Sequence, residues 1–210
     1  MSSDIIFEVI PYSKTASGAH CQKFVERVAG VLDEMKHVGM LNIPEILEEN
    51  HMGQPYYRNI DSREFGARLR EKCKKNIMVN TVVVHHQNKD KFMEWLDESR
   101  NSYGIKNFVF VGAKTDYINY PGPRIIEANS IANKNKIIFG NIFIPQRDNE
   151  AERLVAKTVS GCSFFTSQVL FEPESLIKVA GEYSAKCSAR GIEPAKFFLS
   201  FLDDLVIFGN

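Results

Sequence analysis

Along the chain, short runs of apolar and β-branched residues alternate with longer stretches in which apolar positions recur every three or four residues. The short runs, at 4–11, 40–44, 77–85, 107–112, 136–144, 163–171 and 196–201, read as strands, because a parallel strand covered on both faces is a near-continuous apolar run. The longer stretches read as helices. Phe24, Val28, Val31, Leu32 and Met35 form one stripe, Phe92, Trp95, Leu96, Ser99 and Tyr103 a second, and Ala151, Leu154, Val155 and Val159 a third. Asp61 or Ser62 is placed to cap a helix running to Lys74, and Asn149 with Glu152 has the spacing of a capping box.

Strands alternating with helices predict an α/β fold built on a parallel sheet. No strand is followed by G-x-G-x-x-G and no P-loop occurs, so a (β/α)8 TIM-type barrel is expected rather than a doubly wound nucleotide-binding sheet. A full barrel takes about 250 residues. With 210 residues the expected barrel is incomplete at its C-terminus. The apolar run 205–208 follows the seventh strand too closely for a parallel crossover, which needs about a dozen residues. No linker or repeat divides the chain, so one domain over 1–210 is expected. The stretches 45–60 and 114–123 are the expected site loops.

Composition narrows the function. Lys+Arg 26 against Asp+Glu 26 gives a net charge of zero, which offers no domain-wide attraction for nucleic acid or for a membrane surface. Cys21, Cys73, Cys162 and Cys187 lie far apart, without zinc-type spacing, and the N-terminus lacks a secretory pattern. A reduced, cytoplasmic protein with no metal site is expected.

In a barrel the chemistry gathers where strands end at their C-terminal side. Glu8, in "IIFEVIPY", is a carboxylate within an apolar strand, so it is either paired with a cation or raised in pKa toward proton donation near neutral pH. Gln168, in "FFTSQVLFE", is either a satisfied core amide or a reader of a heterocycle edge, since a primary amide donates and accepts at once. Of His85 and His86 only one is expected to face the barrel interior, which argues against a metal pair. Lys114, just past "FVFVGA", is the one lysine placed for a Schiff base. Arg124 and Arg147 stand near helix N-termini after the fourth and fifth strands, where phosphate is readily held. The "YPGPR" glycine permits close backbone approach to a ligand, and Tyr57 and Tyr120 are candidates to stack on ligand rings.

Taken together, "FEVIP", "NTVVVHH", "GNIFIPQRDNEAERLVAKTVSGCSFFTSQVLFEP" and "FFLSF" resemble the methylenetetrahydrofolate reductase family. The resemblance implies a cytoplasmic oxidoreductase that reduces 5,10-methylenetetrahydrofolate, or a related pterin one-carbon carrier, with NAD(P)H. Glu8 would be its general acid and Gln168 its pterin reader, with His85 and Gly112 beside the family's FAD and Lys114, Arg124 and Arg147 toward the cofactor. Where the family has Arg-Gly-Asp this chain reads "VGAKTD", which makes direct hydride transfer from the nicotinamide the alternative to FAD. Two other readings compete: a Schiff-base lyase or aldolase acting through Lys114, and a non-catalytic folate-binding partner subunit, suggested by the short chain. A homo-oligomer fits either.

Overall fold

The computed structural model describes residues 5–169 and 173–200. Its elements run β1 (Ile5–Glu8), α1 (Gly18–Glu34), β2 (Val38–Ile43), β3 (Leu47–Glu49), β4 (Pro55–Tyr57), α2 (Ser62–Cys73), β5 (Asn76–Val82), α3 (Lys89–Asn101), β6 (Asn107–Val111), α4 (Ile125–Lys134), β7 (Ile138–Phe143), α5 (Glu150–Val159), β8 (Phe164–Val169), α6 (Pro173–Ala189) and β9 (Lys196–Ser200). Strands β1, β2, β5, β6, β7, β8 and β9 form one parallel sheet in chain order, each hydrogen-bonded to the strand before it. Strands β3 and β4 form a separate antiparallel hairpin inside the loop that follows β2.

Because the order is sequential and parallel crossovers share one hand, the helices are carried to one face of the sheet. That face holds the main core, where Leu32, Phe65, Leu69, Phe92, Leu96, Phe108, Phe110, Phe139 and Leu154 are fully enclosed. Each such side chain contributes ~1.5–3 kcal/mol of burial. The other face gathers Ile6, Met40, Met78, Val109, Ile142, Phe164 and Phe198, drawn from all seven strands, into one small apolar cluster. It is the inner face of a half-barrel. Gly140 makes room there for a large neighbour: a Cβ at this position would lie 2.2 Å from the Phe164 ring.

The (β/α)8 TIM-type barrel expected from the sequence, incomplete at its C-terminus, is thus corrected. Among the described residues β1 pairs only with β2 and β9 only with β8, so seven strands make a half-barrel with two free edges. The apolar run 205–208 and the ends of the 163–171 and 196–201 runs lie outside the described residues. The long third run does not stay extended either. It ends as a strand at Val82, and Val83–His85 turn into a 3-10 helix, so strand parity says nothing about His85 and His86.

Local signals fared unevenly. Asp61 caps α2 as expected, accepting from the Arg63 amide at 2.8 Å, and Lys74 ends that helix in the left-handed region. Asn149 makes no capping bond. The work near that end falls to Glu150, which accepts from the Ile144 amide at 3.1 Å. Val159 is exposed, so the third helical stripe stops one turn early. The four cysteines are free and buried, and no helix among the described residues is long and apolar enough to cross a membrane.

Candidate functional site

Two residues beyond the apolar cluster, the inner face turns polar. Glu8 follows Ile6 on β1, Asn42 follows Met40 on β2, Asn80 follows Met78 on β5 and Thr166 follows Phe164 on β8, all on the inner side by the two-residue period of a strand. Asn42 donates from Nδ2 to Glu8 Oε2 at 2.8 Å. Glu8 is exposed as a whole residue because β1 is an edge strand, yet partial burial raises its carboxyl pKa, opposed by the Asn42 hydrogen bond. That is the direction a proton donor needs. Three further oxygens in this layer, Asn42 Oδ1, Asn80 Oδ1 and Thr166 Oγ1, are buried and have no hydrogen-bond partner among the described residues.

Above this layer the two expected site loops meet. Glu49, at the end of β3, accepts from Tyr120 Oη at 2.9 Å through one carboxylate oxygen and lies 2.9 Å from His85 Nε2 through the other. The His85 and Glu49 side chains are 2% and 8% exposed. Tyr120, on the 114–123 loop, packs edge-on against the His85 ring with centroids 5.5 Å apart. Burial and the Glu49 carboxylate push the Tyr120 hydroxyl pKa up, so it remains a donor.

Glu45, just past β2, reaches the other end of the same turn. Its Oε2 accepts from the Val82 amide at 2.7 Å and from Thr81 Oγ1 at 3.4 Å, and burial raises its pKa to about 7. Thr81 Oγ1 also lies 3.2 Å from His86 Nε2. His86 is pulled down to about 4, first by burial and then by the nearby Arg63 charge. It is a neutral packing residue against Phe92 and Trp95.

The remaining candidates scatter. Gln168 lies in the irregular stretch of β8 between Thr166 and Val169 and is exposed, so it is not a satisfied core amide. Tyr57 is half-buried, with its pKa raised by burial and by the Glu45 and Asp61 charges. Tyr120 has its ring enclosed and its hydroxyl engaged, so it is not a free stacking platform. Gly112 closes β6, where a Cβ would meet only Ile125 at 3.9 Å. Lys114 is exposed and lines an open cleft of about 330 Å³ with Leu47, Glu48 and Glu49. Arg124 caps α4 by its backbone while its guanidinium lies 3.6 Å from Asp116 and donates to the Ile118 carbonyl at 3.4 Å. Arg147 stands 4.0 Å from Glu150. No cluster of metal-ligating side chains occurs among the described residues. Asn42, Glu45 and Glu49 were missed by the sequence reading.

The glycine of "YPGPR" serves the protein rather than a ligand. Gly122 donates to the Val84 carbonyl at 3.0 Å, and a Cβ there would sit 2.4 Å from Val83 O and 2.7 Å from His86 O. Backbone cannot step aside as a side chain can. Gly122→Ala is therefore expected to cost about 1–3 kcal/mol in urea unfolding and to lift Tyr120 away from Glu49. A midpoint unchanged from wild type would contradict the close approach.

The inner face ends in polar groups overlaid by βα loops at the C-terminal strand ends, the place where α/β proteins of the barrel class gather their chemistry. No protein-family model and no curated protein matches the chain. Solved structures do match in fold. An uncharacterized protein from Clostridium thermocellum that binds two copies of 5-methyl-5,6,7,8-tetrahydrofolic acid superposes with TM-score 0.71 at 16% identity, over 92% of this chain and 64% of that one. This chain therefore spans less than two thirds of that protein's length. A lyase/mutase from Burkholderia cenocepacia gives 0.56 at 13% identity over 91% and 75%, and 2,3-dimethylmalate lyase, of the PEP mutase/isocitrate lyase superfamily, gives 0.54 at 10% over 93% and 75%.

These findings correct the family expectation. The neighbours are a folate-binding protein and members of the PEP mutase/isocitrate lyase superfamily, not methylenetetrahydrofolate reductase, and the oxidoreductase assignment falls with it. The quoted resemblance rests mainly on buried-strand text, which parallel strands of unrelated barrels share.

Proposed function

We propose that the chain binds a reduced pterin carrier of the tetrahydrofolate type in the inner mouth of the half-barrel, acting as a folate-binding protein or subunit. One observation carries this reading: Asn42 Oδ1, next to Glu8, and Asn80 Oδ1 and Thr166 Oγ1, in the same layer of the inner face, are buried without partners among the described residues, directly above an apolar floor. Buried polar atoms are rarely left unpaired, and an orphaned acceptor in a cleft wants a donor. The aminopyrimidinone edge of a tetrahydropterin presents adjacent N–H donors, and its flat ring suits the apolar floor. Glu8 accepts from that edge when ionised and donates to it when protonated. The Clostridium thermocellum neighbour, which binds 5-methyl-5,6,7,8-tetrahydrofolic acid, supports the ligand class.

Calorimetric titration with 5-methyltetrahydrofolate tests it. Wild type should bind, and Asn80→Leu should lose about 10-fold or more in affinity, the cost of a buried donor left unmet. The same substitution should not destabilise the ligand-free protein, because it removes an acceptor with no partner there. Absence of binding at millimolar folate would refute the reading.

A lyase reading has one observation in its favour: Lys114 faces the 330 Å³ cleft beside Glu48 and Glu49 at the strand ends, in a fold shared with lyase/mutase enzymes. Its exposure is the reverse of the desolvated amine that Schiff-base chemistry favours. Borohydride trapping of a carbonyl substrate, lost in Lys114→Ala, would support it. Failure to trap would remove it.

A further inference from the structure

The His85 ring is spent on one side only. Nε2 meets Glu49 Oε1, whereas Nδ1 is buried and has no hydrogen-bond partner among the described residues. The carboxylate accepts a proton from Nε2, and Nδ1, buried with no acceptor beside it among the described residues, presents a lone pair. Both oxygens of Glu49 are already engaged, one by His85 and one by the Tyr120 hydroxyl. The carboxylate holds the ring in place and leaves nothing else to bind.

The same His85 forms part of the wall of a crevice of about 120 Å³ between the β3–β4 hairpin tip and the 118–121 segment. Met52, Pro55, Ile118 and Pro121 give it apolar sides, and Gln54 and Asn119 add two amides. Apart from the imidazole, its one ionisable lining group is the Tyr120 hydroxyl, which burial and Glu49 keep protonated. Its volume is several times what one water needs. The hairpin arm is held by its own bonds, since Asn50 Oδ1 accepts from the Met52 amide at 2.9 Å and the Gln54 amide at 3.0 Å. The crevice is thus preformed on both sides.

We propose that this crevice is a second ligand site, separate from the inner mouth, which takes a small neutral molecule with an apolar body and one hydrogen-bond donor, anchored on His85 Nδ1. An anion would meet a lone pair with a carboxylate behind it, and a cation would find no free negative oxygen. A neutral hydroxyl or N–H donor meets both the lone pair and the apolar sides. Glu49 is a positioning residue, acting through the tautomer it holds.

Phenol and toluene are matched probes, alike in body and different in the donor. In protein carrying 15N-labelled histidine, phenol should shift the His85 Nδ1 resonance and bind about 10-fold more tightly than toluene. In His85→Phe the two probes should bind alike. Met52→Trp, at a hairpin position that is already 65% exposed, should fill the crevice and abolish phenol binding without lowering the melting temperature. Equal binding of the probes to wild type, an Nδ1 resonance indifferent to phenol, or no saturable binding of phenol, as expected if the crevice holds water alone, would each overturn the proposal.

Discussion

Replacing Lys157 with alanine is expected to cost about 3–5 kcal/mol, a large part of the 5–15 kcal/mol that holds a domain of this kind together. Lys157 lies on α5 with its side chain 8% exposed and donates to the Ile142 carbonyl at 2.8 Å. Its ammonium stands 3.6 Å from Glu150 Oε1, and the Glu150 side chain has no exposure at all. Burial lowers the lysine's pKa, and the Glu150 charge works against that fall. Removing the ammonium leaves a buried carboxylate whose second oxygen lacks a hydrogen bond and has only the Arg147 guanidinium, 4.0 Å away, to offset its charge. The penalty is the underpaired charge, not the value of the pair. Lys157→Met combined with Glu150→Gln should therefore recover most of the loss, because a neutral amide can still accept from the Ile144 amide. Urea unfolding of wild type and the two variants decides the matter. A loss below about 1 kcal/mol in Lys157→Ala would mean that the carboxylate finds another partner.

The second large effect depends on pH. Glu45 has its pKa raised from 4.5 to about 7 because burial disfavours its charge. Between those values the folded protein holds a proton that the unfolded chain has released, so stability falls as pH rises. The favourable contribution is full below about pH 4.5 and lost by about pH 7. Glu45→Gln cannot ionise, and its amide oxygen can take the Val82 and Thr81 hydrogen bonds. The variant should match wild type near pH 4 and exceed it by up to about 3 kcal/mol above pH 7. Parallel stability profiles across that range would show that Glu45 titrates as an ordinary surface acid.

Much of the sheet was legible in the sequence, because each parallel strand carries its own apolar run, and all seven runs contain strands of the sheet. The hairpin was not. Leu47–Glu49 and Pro55–Tyr57 are three-residue strands with mixed polarity, too short for any period to register. The stretch "EILEEN" offers Glu45, Glu48 and Glu49 as near equivalents. Only the arrival of the Val82 amide, His85 and Tyr120 from distant parts of the chain separates Glu45 and Glu49 from solvent-facing Glu48. Glu8 was readable as a strand-end carboxylate, but its partner Asn42 follows from register, which pairs Glu8 with Asn42 across β1 and β2. Gln168 sits where β8 slips register between Thr166 and Val169, an irregularity that no period in the sequence announces. The family resemblance failed for a related reason: buried strands repeat the same few residue types wherever helices cover one face.

Chain order and spatial order coincide throughout the seven-stranded sheet. Each βα unit emerging from a ribosome therefore meets a partner that is already made, and no strand must wait for a later one to be inserted beside it. Assembly by successive addition keeps loop closures short and the growing edge singular. A sheet whose order was shuffled would hold unpaired strands open during synthesis; here each newly exposed edge is covered by the next segment to be translated.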